Sequence, residues 1–228
     1  MAIYGGPDIV TDGLVLHLDA GSDKSYPGTG NTWFDLSGNG NHGTNVNMTY
    51  SAANRGVFSF NDVSSVSLIP NSASLNPTTG LTIEAWVKFS GNNNDFIFEK
   101  GNVNTQYSLF SHGADIMFRT CHVGDGSYHN FSFNKTTVGV VAGSWHHIVG
   151  SWDGSVKRIY IDGAFKGSVN KSNALVTTTP GAAVGRFGGT TTGYYFGGLI
   201  PKVAVYNRGL TAAEVTFNYL ALRGRYGV

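Results

Sequence analysis

Apolar and polar side chains alternate with a period of two along much of this 228-residue chain. The pattern is clearest at residues 81–89, where every second position is apolar: Leu81, Ile83, Ala85, Val87 and Phe89. The positions between them hold Thr82, Glu84, Trp86 and Lys88. Because successive side chains of a strand point to opposite faces of a sheet, we predict a strand whose apolar set faces a core and whose other set lies on the opposite face.

Shorter segments of the same kind predict a chain built almost entirely of strands. Asp153-Gly154 and Asp162-Gly163 are typical of tight hairpins, because both residues tolerate a positive φ. They predict three consecutive antiparallel strands. Strands are predicted at 13–19, 43–50, 56–60, 95–100, 106–111, 115–121, 128–134, 145–152, 156–161, 164–169, 181–186 and 194–206. Their spacing favours an all-β sandwich or barrel in a single domain.

One short helix is predicted near the end of the chain. Thr211 and Glu214 have the spacing of a capping box. The apolar residues Val215, Tyr219 and Leu222 follow at helical spacing, and Gly224 is a suitable stop. We therefore expect a helix over about 211–223, and a short N-terminal arm over 1–12 before the domain at 13–228.

Composition narrows the possible functions. The chain has 32 Gly and 20 Asn but only three Glu, as expected for a turn-rich β protein. Its net charge of +1 argues against a nucleic-acid partner held by a basic face and against a polybasic membrane anchor. No apolar run approaches the length of a membrane span, so no membrane insertion is expected. With Cys121 as the single cysteine, no intrachain disulfide can form.

Four segments of the chain resemble a laminin G-like jelly roll of the concanavalin A-like superfamily. They are 13–19 with 33–43, the strand 81–87, the hairpin pair 145–154 with 159–163, and the closing strand and helix at 196–200 and 205–215. The resemblance covers residues 13–223. It implies an antiparallel two-sheet jelly-roll sandwich with one C-terminal helix. It is specific for the fold but not for a function, because this fold carries many binding roles and some enzymes.

The opening of the chain and its ending, Tyr206-Asn-Arg and Arg223–Val228, are similar to structural proteins of tailed bacteriophages. That resemblance implies a virion component: a capsid decoration, a fibre or a tail-associated subunit. Its partners would be other virion proteins and copies of itself. No secretory signal is recognisable at the start, so we expect synthesis in the host cytoplasm and localisation in the virion. The residues expected to dock on neighbours are Ile3, Tyr4, Arg223, Arg225 and Tyr226, and the alternative is that both ends fray.

The sequence does not favour an enzyme. Laminarinase-type relatives carry two Glu around an Asp on one strand, so that one carboxylate attacks the sugar while another donates a proton. The comparable strand here carries Glu84 alone, and no Glu-x-Asp-x-x-Glu pattern occurs. We therefore expect no catalytic residues and treat a glycan-active hydrolase as the third hypothesis.

A calcium ion is the cofactor that the sequence makes most plausible. The Gly-rich loop after Trp33 offers Asp35, Asn39 and Asn41 as oxygen ligands, and Asp19 ends the preceding strand. Related proteins often hold one calcium near such loops. The alternative is that Asp35 and Asn39 form Asx turns that stabilise the loop.

Glycan binding requires exposed rings on which the apolar face of a sugar can stack. Trp33, Tyr194 and Tyr195 are the predicted platforms. The two tyrosines are equally suited to an interface between subunits, where aromatic residues are enriched. The first hypothesis is thus a non-enzymatic virion protein that binds host-surface glycans, and the alternative is a free carbohydrate-binding lectin module.

Overall fold

The computed structural model describes residues 8–91, 94–101, 106–187 and 194–228. Two antiparallel sheets stack face to face, and one long helix packs on the outside of one of them. The predicted all-β jelly-roll sandwich with a C-terminal helix is confirmed. None of the helices in the described residues has the length and apolar character needed to cross a bilayer.

The described residues form sixteen strands and two α-helices. The strands are β1 Leu14–Asp19, β2 Thr32–Trp33, β3 Gly43–Val46, β4 Thr49–Ser51, β5 Val57–Asn61, β6 Val66–Ile69, β7 Leu81–Phe89, β8 Phe96–Lys100, β9 Tyr107–His112, β10 Asp115–Cys121, β11 Tyr128–Asn134, β12 His146–Trp152, β13 Val156–Ile161, β14 Ala164–Asn170, β15 Ala182–Val184 and β16 Gly197–Tyr206. The helices are α1 Lys135–Val138 and α2 Ala212–Tyr226.

The two sheets have eight strands each. Sheet A has the order β14-β13-β12-β7-β16-β5-β4, and β1 pairs with the second half of β16. Sheet B has the order β11-β10-β9-β8-β15-β6-β3-β2. The predicted run of three consecutive antiparallel strands is β12-β13-β14. Asp162 and Gly163 both have positive φ, as the two-residue hairpin requires.

Strand β7 has the predicted bounds, and its apolar set faces the core between the sheets. The opposite face is also buried: Thr82, Glu84 and Trp86 are at most 1% exposed. Helix α2 covers this outer face of sheet A, where the Tyr226 ring stacks on Trp86 at 4.3 Å. Two-sided burial is the feature that the simple alternation at 81–89 does not reveal.

The capping box of α2 is confirmed, because the Glu214 backbone N–H donates to Thr211 Oγ1 and Glu214 Oε2 accepts from the Thr211 N–H. The predicted stop at Gly224 is wrong. The helix continues to Tyr226, and Gly227 takes the left-handed conformation that ends it. The sequence pattern also missed strands β2 and β6, each of four residues or fewer, and helix α1, which Asn134 caps.

A buried ion pair connects sheet A to its covering helix. Lys202 Nζ on β16 lies 2.6 Å from Glu84 Oε1 on β7, and Asn218 Nδ2 on α2 donates to Glu84 Oε2 at 2.7 Å. Asn218 also donates to the Tyr206 hydroxyl. Burial alone would raise the pKa of Glu84, but Lys202 and His147 hold it well below its ordinary value of 4.5. The ionised carboxylate therefore stabilises the fold at neutral pH, and this contribution is lost as the pH falls below about 4.5.

Removing one member of this pair should be costly. We predict that Glu84→Gln lowers the free energy of unfolding by about 3–5 kcal/mol, because it leaves the Lys202 ammonium buried without a counter-charge. Urea denaturation measures the loss. The matched control is Glu214→Gln, since the Glu214–Arg208 pair is nearly 30% exposed and should cost at most about 1 kcal/mol.

The double variant Glu84→Gln/Lys202→Met shows how much of the lost free energy of unfolding comes from the unpaired charge and how much from altered packing. It should recover part of the stability lost in Glu84→Gln, because no unpaired charge remains buried. Equal losses for Glu84→Gln and Glu214→Gln would contradict this account of the pair.

Candidate functional site

The outer faces of the two sheets differ in what they present. Helix α2 lies on sheet A, and Val215, Leu222 and Tyr226 are buried against it. In sheet B the inward side chains of β9 and β10 include Leu109 and Phe118, which belong to the core between the sheets. Their neighbours on these strands therefore point outward.

Aromatic and cationic side chains cross this outer face of sheet B. Phe96 on β8 stacks on Phe110 on β9, with ring centres 4.5 Å apart and ring planes at 7°. The Arg119 guanidinium on β10 lies 4.5 Å from the centre of the Phe110 ring and 4.5 Å from that of Tyr128 on β11. We call the set Phe96, Phe110, Arg119, Tyr128 and Tyr194 the aromatic–arginine strip.

Tyr194 extends the strip beyond β8. Its ring centre lies 6.1 Å from that of Phe96, and the residue is 55% exposed. Its φ of 60° is in the left-handed region, which is unfavourable for a residue with a Cβ. Backbone strain of this kind is concentrated at functional sites, where the surrounding structure maintains it.

The geometry around Arg119 fixes the orientation of its guanidinium. Its Cζ lies 4.5 Å from the centres of both rings, and Nε donates to Asn130 Oδ1 at 2.9 Å. Burial lowers the pKa of Arg119 below its ordinary value, whereas Glu99 and Tyr128 act in the opposite direction. An arginine so placed stays charged and presents a fixed edge of donors.

A shallow groove lies further along the same face. It encloses about 440 Å³ and is lined by Thr44, Leu68, Ile69, Pro70, Gly181, Ala182 and Ala183. Strand register aligns Leu68 with Ala183, Ala183 with Glu99, Glu99 with Ser108, and Ser108 with Arg119. The groove and the strip therefore lie on the same face of sheet B, with Ala183, Glu99 and Ser108 between them at most 1% exposed.

The predicted glycan-binding residues have different environments. Trp33 is fully buried and packs edge-on against Phe58, so its prediction as a surface platform is wrong. Tyr194 lies on the strip. Tyr195 is half-buried, and its ring faces Arg186 at 6.0 Å instead of the strip.

The predicted calcium ligands are engaged in contacts within the chain. Asp35 accepts hydrogen bonds from the backbone N–H groups of His17, Ser37 and Asn41, and Asp19 pairs with Arg225 at 2.6 Å. Within the ranges that the structure describes, no three His, Cys, Asp or Glu side chains cluster as a metal site would require. Asn39 donates to Leu14 O, and its backbone N–H to Ser37 Oγ. This geometry favours the Asx-turn alternative.

Only some of the predicted assembly residues are exposed enough to contact a neighbouring subunit. The Arg225 guanidinium binds Asp19 and the carbonyls of Asn54 and Gly56, and Tyr226 is 4% exposed. The prediction that these two side chains dock on neighbouring subunits is wrong, because they anchor α2 to sheet A. Arg223 is exposed. Ile3 and Tyr4 lie outside the described residues.

The three glutamates occupy separate environments. Glu84 pairs with Lys202 beneath α2, and Glu214 pairs with Arg208 at the start of α2. Glu99 lies on the outer face of sheet B, in register with Ser108. The strip supplies rings and a cation, which suit binding better than acid–base chemistry.

Sequence reasoning missed Phe96, Phe110 and Arg119. Each looks like an ordinary strand residue in isolation. The available signal was the register of four successive antiparallel strands, which places alternate residues of β8, β9, β10 and β11 side by side on one face.

The two stacked antiparallel sheets define the class of protein, a jelly-roll sandwich domain. Residues 60–216 match a laminin G family model described as the concanavalin A-like lectin/glucanases superfamily, and the chain belongs to this family. No curated protein is significantly similar in sequence.

Solved structures with the same fold have low sequence identity. The binding domain of Paraclostridial Mosquitocidal Protein 1 has a TM-score of 0.71 at 14% identity, covering 92% of this chain and 52% of that one. The receptor binding domain of botulinum neurotoxin C/D mosaic serotype has a TM-score of 0.69 at 12% identity, with coverage of 92% and 52%. This chain spans about half the length of these toxin binding domains.

A third similar structure is domain 4 of AbnA, an extracellular arabinanase from Geobacillus stearothermophilus, in complex with arabinotriose. Its TM-score is 0.67 at 20% identity, and the match covers 89% of this chain and 96% of that domain. At these identities the likeness shows the fold.

Strain at Tyr194 is testable by two substitutions that both remove the ring. We predict that Tyr194→Gly is more stable than Tyr194→Ala by about 1 kcal/mol, because only glycine adopts a positive φ without a steric penalty. Urea denaturation measures the difference. The same pair of substitutions at Tyr128, an extended strand residue, should give the opposite order. A more stable alanine variant at position 194 would contradict the strain.

Proposed function

We propose that this chain is a non-enzymatic glycan-binding module that serves as a structural subunit of a bacteriophage virion. The glycan-binding part of the proposal depends on one observation, the aromatic–arginine strip. Tyr128, which is half-exposed, lies beside the fixed guanidinium, and the half-exposed Tyr194 lies beyond Phe96 at the other end of the strip. Rings that stack on sugars and planar donors that bind hydroxyl groups are the usual components of such a site.

The dimensions of the strip suit a short oligosaccharide. Four neighbouring strands, β8 to β11, span about 14 Å at the usual spacing between strands. That length accommodates about three sugar rings. The groove at Leu68 and Ala183 continues the surface on the far side of β8 and offers room for a longer chain.

The virion setting rests on the resemblance of the opening and ending of the chain to tailed-phage structural proteins. Many copies on a particle would compensate for weak binding at each site. The alternative is a free lectin module with the same binding face, and the sugar-bound arabinanase domain of similar fold is the observation that favours it. The oligomeric state and incorporation into particles distinguish the two.

A glycan array tests the binding function. We predict that the wild-type chain binds a subset of surface glycans. Tyr128→Ala and Tyr194→Ala should each raise the dissociation constant by about tenfold or more. Phe165→Ala is the matched control, because Phe165 is 54% exposed and lies on β14 of sheet A. It should bind as the wild type does.

Two results would contradict the proposal. One is that folded wild-type protein binds no glycan on the array. The other is that the Phe165→Ala control loses as much binding as the two tyrosine variants. Release of reducing sugar from any bound glycan would instead support the third hypothesis, a glycan-active hydrolase.

A further inference from the structure

Arg119 has donors that the fold does not use. Its Nε is bound to Asn130, but in the part of the chain that the structure describes neither terminal nitrogen donates a hydrogen bond. These nitrogens are also not among the buried polar atoms that lack a partner, so they reach the surface. The half-buried guanidinium thus presents its two Nη groups outward from between two rings.

This arrangement differs from that of Arg158, Arg208 and Arg225. Arg208 binds both oxygens of Glu214, Arg225 binds Asp19 and two backbone carbonyls, and Arg158 binds Asp153. In each case a carboxylate of the same chain occupies the terminal nitrogens. At Arg119, among the described residues, no carboxylate occupies that position, on the face that carries Tyr128.

We propose that the aromatic–arginine strip selects carboxylate-bearing sugars, with Arg119 as the carboxylate-binding residue. A guanidinium that contacts two rings and is bound through Nε keeps its Nη edge for a ligand. That edge matches the two oxygens of a planar carboxylate in a bidentate pair. The inference rests on the proposed glycan-binding function and names its ligand class.

The geometry at Arg119 fits the planar shape of a carboxylate. Lys157 Nζ, the cation nearby in the core, donates to the carbonyls of Phe118 and His129 and is fully buried, so it faces no ligand on this surface. Glu99 lies in the same row as Arg119 and is fully buried. A single guanidinium edge of this kind is matched by the two coplanar oxygens of one carboxylate.

The test uses acidic glycans and the same glycans after chemical reduction of each carboxylate to a primary alcohol. Trigalacturonate and its carboxyl-reduced form are one such pair, and acidic glycans that bind in the array are treated in the same way. The wild-type chain should bind the acidic member at least about tenfold more tightly, the size of a charge-assisted hydrogen-bond contribution.

A substitution at Arg119 tests whether its two Nη groups bind the carboxylate. Arg119→Lys keeps a positive charge but loses the bidentate edge, and it should lose most of the preference for the acidic member. Arg158→Lys, on β13 of sheet A, is the matched control and should keep the preference. Thermal unfolding of each variant verifies that it is folded.

The outcomes separate this inference from the proposed function. Binding of neutral and acidic members with equal affinity, or full preference retained in folded Arg119→Lys, would overturn the carboxylate assignment and leave glycan binding intact. Stronger binding of sulfated than of carboxylated glycans would also overturn it. Absence of binding to every glycan would overturn both.

Discussion

The buried carboxylate of Glu84 is the constraint on which the arrangement of this domain depends. A charge inside the protein must be paired and hydrogen-bonded, and here the partners come from three elements: Lys202 on β16, His147 on β12 and Asn218 on α2. The N-terminal segment joins this network, since the Val10 N–H donates to Asn218 Oδ1. Docking of α2 on sheet A is thereby fixed in one register.

This docking buries the outer face of sheet A beneath α2. With α2 in place, the Trp86 ring is stacked beneath Tyr226, and the outer face of β7 is interior. The aromatic–arginine strip lies on the opposite side of the sandwich, on the outer face of sheet B. In the proposed function, the covered sheet provides rigidity and the strip provides the surface for recognition.

The sequence predicted the parts of the fold that follow from local pattern. Strands β7, β10, β11 and β13 have the predicted bounds, and the capping box at Thr211 is present, because period-two alternation and cap chemistry are local properties. The site is not local. Arg119 meets Phe110 and Tyr128 only through strand register, whereas Trp33 and Tyr226, selected by residue type, are buried. Residue type alone does not distinguish an exposed ring from a core ring.

The most direct test of the account is to map the binding face by NMR. Backbone amide shifts would be followed while a bound oligosaccharide from the array is titrated into the labelled chain. We expect the perturbed residues to cluster on β8 to β11 and around Tyr194, with helix α2 and the Asp35 loop unchanged. Perturbations centred on α2 or on the Asp35 loop, with β8 to β11 unaffected, would contradict the assignment of recognition to the outer face of sheet B.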